Sequence, residues 1–242
     1  MPDKTALDSA VSTLVGSYTR KLMEFNTSEF LRTGVDPFRF TFNVSVWGLE
    51  RAIQKEIEHK LEMALENAVG QFHEDYLGNT TRAPKGTKWR RVPAGQIPGA
   101  DIANEEDQIY LQVKSKHNSM NSSSSARLAQ ELEELKSKKP RATVGCAWVI
   151  ATSSKSCIGE KLIRAVGKVL KGKEVYEYVT GKKGEMDAVL QLLPDALQEA
   201  AEEEDLVARL ANVARTIAAD LQRKAGKSDE EVIAYICSQS VD

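Results

Sequence analysis

Residues 98–125 read Pro98-Gly-Ala-Asp-Ile-Ala-Asn-Glu-Glu-Asp-Gln-Ile-Tyr-Leu-Gln-Val-Lys-Ser-Lys-His-Asn-Ser-Met-Asn-Ser-Ser-Ser-Ser125. Two short apolar runs, 101–103 and 109–113, flank the acidic turn 104–107, and this pattern predicts a two-stranded hairpin. Side chains alternate between the faces of a strand, so Gln112 and Lys114 share a polar face opposite Leu111 and Val113. With Asp101 pointing the same way, an acid, an amide and an amine would meet at one edge of a small sheet.

This combination of groups suits a metal-dependent phosphodiesterase. A carboxylate oxygen is the ligand that a hard divalent cation prefers. A neighbouring ammonium group can steady the attacking water and the negative charge that gathers on phosphorus. The hairpin therefore predicts a site for phosphodiester hydrolysis.

The same residues carry a resemblance to a known family. Pro98-Gly-Ala-Asp101, with Gln112 and Lys114 following on the second strand, resembles the PD-(D/E)xK nuclease core. The segment after Lys114, which contains Lys116, His117, Asn118, Asn121 and a run of serines, is similar to the segment after the catalytic lysine in a group of type II restriction endonucleases. The resemblance covers about residues 60–195.

The resemblance implies a fold and an activity. The fold is α/β, with a mixed central sheet of four or five strands flanked by helices, as in restriction endonucleases, and with helical additions at both ends. The activity is Mg²⁺-dependent hydrolysis of double-stranded DNA at a short specific sequence. A homodimer is expected, because the two strands of a palindrome are cut by two symmetry-related sites.

The resemblance also implies roles for particular residues. Asp101 is the principal metal ligand, Gln112 contributes its amide oxygen and Lys114 orients the nucleophile. The helix before the hairpin supplies a glutamate, with Glu66 preferred and Glu74 as the alternate. The family normally has Asp or Glu where this chain has Gln112, which brings no charge. Either another carboxylate compensates or the site binds metal weakly.

Two segments beside the hairpin are candidates for contact with DNA. The first surrounds Trp89 and the second follows Lys114, and the candidate residues are Lys88, Arg90, Arg91, Lys116, His117, Asn118, Asn121 and Ser122. Each segment also has a structural interpretation: Trp89 folds back on the core, and the serine run is a flexible polar linker. A serine near the start of the next helix is a candidate cap.

Charge is segregated along the chain, although the net charge of the 242 residues is only −2. Residues 82–173 contain 18 Lys and Arg against 8 Asp and Glu, a net charge of +10. Residues 195–231 contain 5 basic against 10 acidic residues, a net charge of −5. The middle of the chain is therefore the part suited to neutralise phosphates, while the later part repels them.

Patterns elsewhere predict the remaining organisation. Helices are expected over 5–34, 46–77, 126–136, 158–171, 186–193 and 206–221, with a capping box at 228–231 that opens a last helix. Strands are expected over 142–151, parallel to the second hairpin strand, and over 174–179; 38–43 is a short strand or an extended entry, and 79–96 is a loop. We divide the chain into an N-terminal helical cap or dimerisation segment (1–45), a nuclease core (46–194) and a C-terminal helical region packed on that core (195–242).

Several classes of protein are disfavoured by the sequence. Cys146, Cys157 and Cys237 have no paired spacing, so neither a zinc site nor a disulfide framework is indicated. A Walker loop is missing, so no nucleotide cofactor is expected. Without a signal sequence or a membrane-spanning run, the protein is expected to be cytoplasmic. The remaining alternatives are a repair or transposition nuclease and, because of Gln112, a catalytically weak or inactive DNA-binding relative.

Overall fold

A computed structural model describes residues 1–32, 34–151 and 156–240 of the chain. In those ranges it has ten helices and seven strands. They are α1 (Lys4–Glu24), α2 (Thr27–Arg32), α3 (Pro37–Trp47), α4 (Leu49–Gly78), β1 (Thr81–Arg82), β2 (Thr87–Lys88), β3 (Arg90–Arg91), β4 (Ile102–Asn104), β5 (Ile109–Lys116), α5 (Ser122–Lys138), β6 (Thr143–Ile150), α6 (Glu160–Val166), β7 (Lys168–Lys171), α7 (Lys173–Thr180), α8 (Glu185–Glu203), α9 (Leu206–Ala225) and α10 (Asp229–Ser240).

Five strands form a mixed sheet in the order β3-β4-β5-β6-β7. The β3-β4-β5 part is antiparallel, and the β5-β6-β7 part is parallel. This confirms the predicted α/β class, the hairpin and the parallel pairing of the central strand with β5. The strands β1 and β2 form a separate antiparallel pair.

The chain divides into two compact units. The first comprises 1–13 and 69–197 and contains the sheet. One core of this unit joins the sheet to α5 and α6, through Tyr110, Val144, Cys146 and Trp148 on the strands and Leu128, Leu132, Leu135 and Ile163 on the helices. Elsewhere in the unit, α7 contacts β6, and the ring of Tyr176 on α7 stacks on Tyr76 of α4 with 5.6 Å between centroids.

The second unit comprises 14–68 and 198–242, and its described residues are helical or lie in short connections. Its core is apolar, with contributions from α2, α3, α4, α9 and α10, including Phe30, Phe40, Ile53, Ile57, Ile217, Leu221 and Ile236. At its C-terminal end the predicted capping box is confirmed: the Ser228 hydroxyl accepts from the Glu231 amide at 3.2 Å, and the Glu231 carboxylate accepts from the Ser228 amide at 3.0 Å.

The predicted single helix over 5–34 is wrong, because the chain turns between α1 and α2. The Phe25 amide donates to the Leu22 carbonyl, which tightens the last turn of α1. The Asn26 side chain then accepts from the Glu29 amide at 3.0 Å and caps α2. A polar cap thus interrupts an apolar pattern that the sequence continues.

The predicted strand or extended entry over 38–43 is also wrong, since these residues lie in α3. Asp36 is the N-cap, its carboxylate accepting from the amides of Phe38 and Arg39, and Pro37 occupies the first turn. Apolar residues at every second position satisfy a helix as well, because Phe40 and Val44 are four residues apart and both are buried.

Four further predictions differ from the structure. The loop over 79–96 contains β1, β2 and β3, and the helix over 158–171 ends early and is followed by β7. The strand over 174–179 is the helix α7, which ends at Gly181 with φ of 69°. Helix α8 continues through Pro194, where the sequence predicted a stop.

In the described ranges no helix is both long and apolar enough to cross a membrane.

Candidate active site at the edge of the hairpin

Asp101 lies directly before β4, where backbone hydrogen bonds hold it on both sides. Its amide donates to the Leu111 carbonyl at 2.9 Å, and its carbonyl accepts from the Val92 amide at 2.7 Å. The carboxylate oxygen Oδ2 accepts from the Val113 amide at 2.8 Å. The carboxylate is therefore anchored to the second hairpin strand by the main chain, yet its side chain keeps 23% of its accessible surface.

Gln112 and Lys114 project towards the same carboxylate from β5. The amide nitrogen of Gln112 donates to Asp101 Oδ2, and Lys114 Nζ lies 3.8 Å from that oxygen. Leu111 and Val113, on the opposite face of the strand, are buried. Strand alternation thus places an acid, an amide and an amine together at a partly exposed edge, and Lys114 retains 26% of its side-chain surface.

Glu74, near the C-terminal end of α4, belongs to the same electrostatic environment. Burial and, after it, the charge of Asp101 raise the pKa of Glu74 to about 7, against the opposing charges of Arg91 and Lys114. The structure therefore brings the alternate glutamate into the field of Asp101. Glu66 is an exposed residue of α4 in the second unit, and its role in the site stays a prediction.

Arg91 links the end of α4 to the sheet. Its guanidinium donates to Asp75 at 2.6 Å and to Glu74 at 3.2 Å. A side chain at Gly78 would place its Cβ 2.9 Å from the Arg91 amide nitrogen, so glycine permits this close approach of helix and strand. Sequence reasoning missed Asp75 and assigned Arg91 to DNA, and the acidic pair Glu74-Asp75 just before Gly78 was the signal available.

The other residues around Trp89 are placed as follows. Trp89 is buried and its indole nitrogen donates to the Val179 carbonyl at 2.8 Å, so the structural interpretation of this tryptophan is confirmed. Arg90 bonds Glu105 and Gln96. Lys88 is exposed on β2. Among the described residues 88–91, Lys88 is thus the cation for which the structure shows no hydrogen bond or ion pair.

The segment after Lys114 ends β5 and begins α5. The His117 carbonyl accepts from the Ile158 amide at 3.2 Å, and Asn118 is exposed in the turn. Asn121 is the cap of α5: its side-chain oxygen accepts from the Ser124 amide at 2.8 Å, and the Ser124 hydroxyl accepts from the Asn121 amide at 2.9 Å. Ser122 opens the first turn, so the interpretation of the serine run as a flexible linker is wrong, and the cap is asparagine rather than serine.

The oxygen ligands at the hairpin suit a hard cation that needs only a few ligands from the protein. Among the described residues, no group of three or more His, Cys, Asp or Glu side chains is arranged to hold a metal ion. Mg²⁺, however, keeps several waters and binds through one or two carboxylates. Asp101 and Glu74 are two such carboxylates; burial and then the charge of Asp101 raise the pKa of Glu74, and a cation between them would offset both effects.

Comparison with known proteins identifies the relatives of this chain. The sequence model of a family described as Eco47II restriction endonuclease matches residues 2–202. The type II restriction enzyme Sau96I of Staphylococcus aureus is 22% identical over 209 residues, which cover 80% of this chain and 77% of that enzyme. The type II restriction enzyme Eco47II of Escherichia coli is 26% identical over 212 residues, which cover 79% and 83% of the two chains.

These matches confirm the resemblance to type II restriction endonucleases, and they extend well beyond the hairpin from which it was drawn. The family match spans the strands of the sheet, α4 and the helices around them. Its extent, over most of the chain, means that a shared short motif does not account for it. This chain belongs to the Eco47II restriction endonuclease family.

Proposed function

We propose that this protein is a type II endonuclease that cleaves both strands of double-stranded DNA at a short specific sequence in a Mg²⁺-dependent reaction. The observation that carries the proposal is the meeting of Gln112 and Lys114 with the Asp101 carboxylate at the exposed edge of the hairpin. The family supplies the reaction class, and the donor set supports the cofactor.

Asp101, Glu74 and the amide oxygen of Gln112 are the groups that would hold Mg²⁺. The bound ion would supply Lewis acidity, neutralising charge on the phosphate and making water more acidic. The Gln112 amide now donates to Asp101, and rotation of that amide by half a turn presents its oxygen instead. Glu74 supplies the second negative charge that Gln112 lacks, so the glutamine is compatible with metal binding.

Lys114 acts on the reacting groups. Its ammonium, 3.8 Å from Asp101 Oδ2, is held beside the carboxylate and remains partly exposed to the solvent through which DNA approaches. There it orients the water that attacks phosphorus and stabilises the charge on the non-bridging oxygens as the bond to the 3′ oxygen breaks. Arg91 positions Glu74 by pairing with it.

DNA contacts are proposed for the two segments beside the site. Lys116 ends β5 two residues beyond Lys114, His117 and Asn118 follow it in a turn, and α5 begins shortly afterwards at Ser122. The start of a helix favours phosphate groups. Lys88 and Arg90 lie on β2 and β3, which follow one another along the chain. These contacts serve mainly to orient the phosphate backbone, and the base contacts among them set the target sequence.

Incubation of plasmid DNA with the protein and Mg²⁺ tests the proposal. Discrete fragments that disappear on addition of a chelator are expected, since a specific target and a required cation are both proposed. Smeared products would contradict sequence specificity and favour a repair or transposition nuclease.

One observation favours a second candidate, a catalytically inactive DNA-binding relative. Gln112 removes a charge from the position where the family normally has a carboxylate, and hard cations prefer charged ligands. Tight DNA binding without cleavage at any Mg²⁺ concentration would establish this alternative. Restoration of cleavage by Gln112→Glu would then locate the defect at that residue.

A further inference from the structure

Asp75 is a buried acid next to the candidate site that the proposed reaction does not use. It follows Glu74 on α4, and its side chain retains only 10% of its surface. Its oxygen Oδ1 accepts from the Arg91 guanidinium at 2.6 Å. Its other oxygen, Oδ2, is buried and has no hydrogen-bond partner among the described residues. Within that part of the chain, Arg91 is the cation that pairs with this carboxylate.

The guanidinium of Arg91 contacts two neighbouring acids of α4, but it does so unequally. Its second nitrogen donates to Glu74 Oε2 at 3.2 Å, a longer contact than the one to Asp75. Among the described residues, the structure shows no hydrogen bond to the other carboxylate oxygen of Glu74. A guanidinium binds a carboxylate most strongly through two parallel hydrogen bonds. Glu74 is held by one contact, so its second oxygen remains for another ligand.

The backbone of Arg91 is fixed relative to Asp101. Arg91 pairs across the sheet with Ile102, the residue that follows Asp101. The amide of the next residue, Val92, donates to the Asp101 carbonyl at 2.7 Å. The side chain of Arg91 therefore joins the strand beside one carboxylate of the site to the helix that carries the other.

We propose that Asp75 is a positioning residue, which anchors Arg91 and so prevents the guanidinium from closing on both oxygens of Glu74. The inference rests on the proposed function, in which Glu74 is a ligand of Mg²⁺. Charge supports it as well as geometry. The two acids and Arg91 together carry one negative charge, which is available to a cation. Without Asp75, the guanidinium would cancel the charge of Glu74, and the attraction for a cation would be lost.

A double-mutant cycle of Asp75 and Arg91 tests the inference. Asp75→Asn keeps the shape of the side chain and removes its charge, so Arg91 should turn to Glu74. The Mg²⁺ concentration that half-maximal cleavage requires should rise by about tenfold, as for other residues that support metal ligands. At saturating Mg²⁺ the cleavage rate should return close to wild type, because the ligands themselves remain. In an Arg91→Gln background Asp75→Asn should have little effect on that concentration, since Asp75 acts through Arg91.

Binding of Mn²⁺ to the full chain without DNA gives a readout that does not depend on cleavage. Mn²⁺ prefers the same oxygen ligands as Mg²⁺, and the EPR signal of the free ion measures how much is bound. The dissociation constant should rise by about tenfold in Asp75→Asn and stay unchanged in Asp107→Asn. Asp107 is the matched control, because its side chain is 11% exposed in the same unit and pairs with Arg82 at 2.9 Å. Equal losses in the two variants would assign the effect to general destabilisation and overturn the inference.

A crystal structure of the wild-type protein with Mn²⁺ keeps the inference testable if Asp75→Asn fails to fold. The contact between Asp75 and Arg91 should persist while Glu74 binds the ion. Separation of Arg91 from Asp75, or direct binding of the ion by Asp75, would contradict the positioning role.

Failure of this inference can be told apart from failure of the proposed function. A wild-type Mg²⁺ requirement in Asp75→Asn, or an effect of that substitution that persists in the Arg91→Gln background, would refute the inference and leave the nuclease activity intact. A wild-type protein that neither cleaves DNA nor binds Mn²⁺ would overturn the proposed function, and this inference with it.

Discussion

The two compact units bury different kinds of side chain. Among the described residues, the buried acidic and histidine side chains of the first unit are His73, Asp75 and Glu185, whereas that of the second is Glu56. Among those residues, buried side-chain atoms for which the structure shows no hydrogen-bond partner follow the same division, three in the first unit and one, on Thr19, in the second. The first unit therefore combines buried polar groups with its charged site, whereas the core of the second unit is built mainly by apolar packing.

The sharpest test of this comparison between the two units is a substitution of Asp101 in the first unit, where we expect the largest effect on activity. Replacing it by Ala removes the proposed principal ligand and the acceptor of the Val113 amide, Gln112 and Lys114 contacts. The cleavage rate should fall by about a thousandfold or more, which is typical of the loss of a central catalytic group. Cleavage rate is measured on plasmid, and DNA binding by titration in the presence of Ca²⁺. If the Asp101→Ala protein still cleaved DNA, the assignment of the active site to the hairpin would be wrong.

Ile217→Ala tests the apolar packing of the second unit. Ile217 is 1% exposed in the core of that unit, and the substitution should lower the free energy of unfolding by about 2–5 kcal/mol. Denaturant titration measures the loss. Val207→Ala is the matched control on the same helix, and it should change stability by less than about 0.5 kcal/mol. Equal effects at the two positions would contradict the core described here.

A matched pair on α4 decides which glutamate serves the site. Glu74→Gln should reduce cleavage by about a hundredfold and raise the Mg²⁺ concentration that half-maximal cleavage requires, because the charge that compensates for Gln112 is lost. Glu66→Gln should leave cleavage close to wild type. Rates are compared over a Mg²⁺ titration, and the change in melting temperature with Mg²⁺ gives a second reading. The reverse pattern would restore Glu66 as the ligand.

The smallest expected effect concerns an ion pair that fastens α6 to the sheet. Burial alone would raise the pKa of Glu160, but hydrogen bonds from Lys171 and Arg164 lower it from 4.5 to about 2. A lowered native pKa means that the carboxylate stabilises the fold above about pH 4.5 and that this stabilisation is lost as the pH falls towards 2. Glu160→Gln should therefore cost about 1–2 kcal/mol at neutral pH, discounted for solvent screening.

Urea unfolding at neutral pH and near pH 2 measures this difference. The cost of Glu160→Gln should shrink in acid, because the wild-type carboxylate is then protonated as well. Glu174→Gln, at an exposed position of α7, is the control and should show no such pH dependence. A cost that is the same at both pH values would assign the effect to packing rather than charge.

Local sequence patterns correctly predicted those elements whose pattern is compatible with only one type of secondary structure. The hairpin, the central strand and the long helix α4 were found because strand alternation, an uninterrupted apolar run and a sustained helical period each point to one structure. Helices α3 and α7 were missed because six residues with alternating apolar positions also fit a helix. Tertiary contacts decided between the two, through the burial of Phe40 and Val44 and the hydrogen bond of 3.0 Å between Tyr176 and His73.

The sequence by itself determined that Gln112 and Lys114 share one face of a strand opposite Leu111 and Val113, because alternation is a property of the strand backbone. It also determined where positive charge is concentrated. Only the tertiary structure decided that Glu74 lies in the field of Asp101 and that Arg91 pairs with Glu74 and Asp75, seventeen and sixteen residues away. Such contacts depend on how a helix end meets a strand, and no local periodicity encodes that approach.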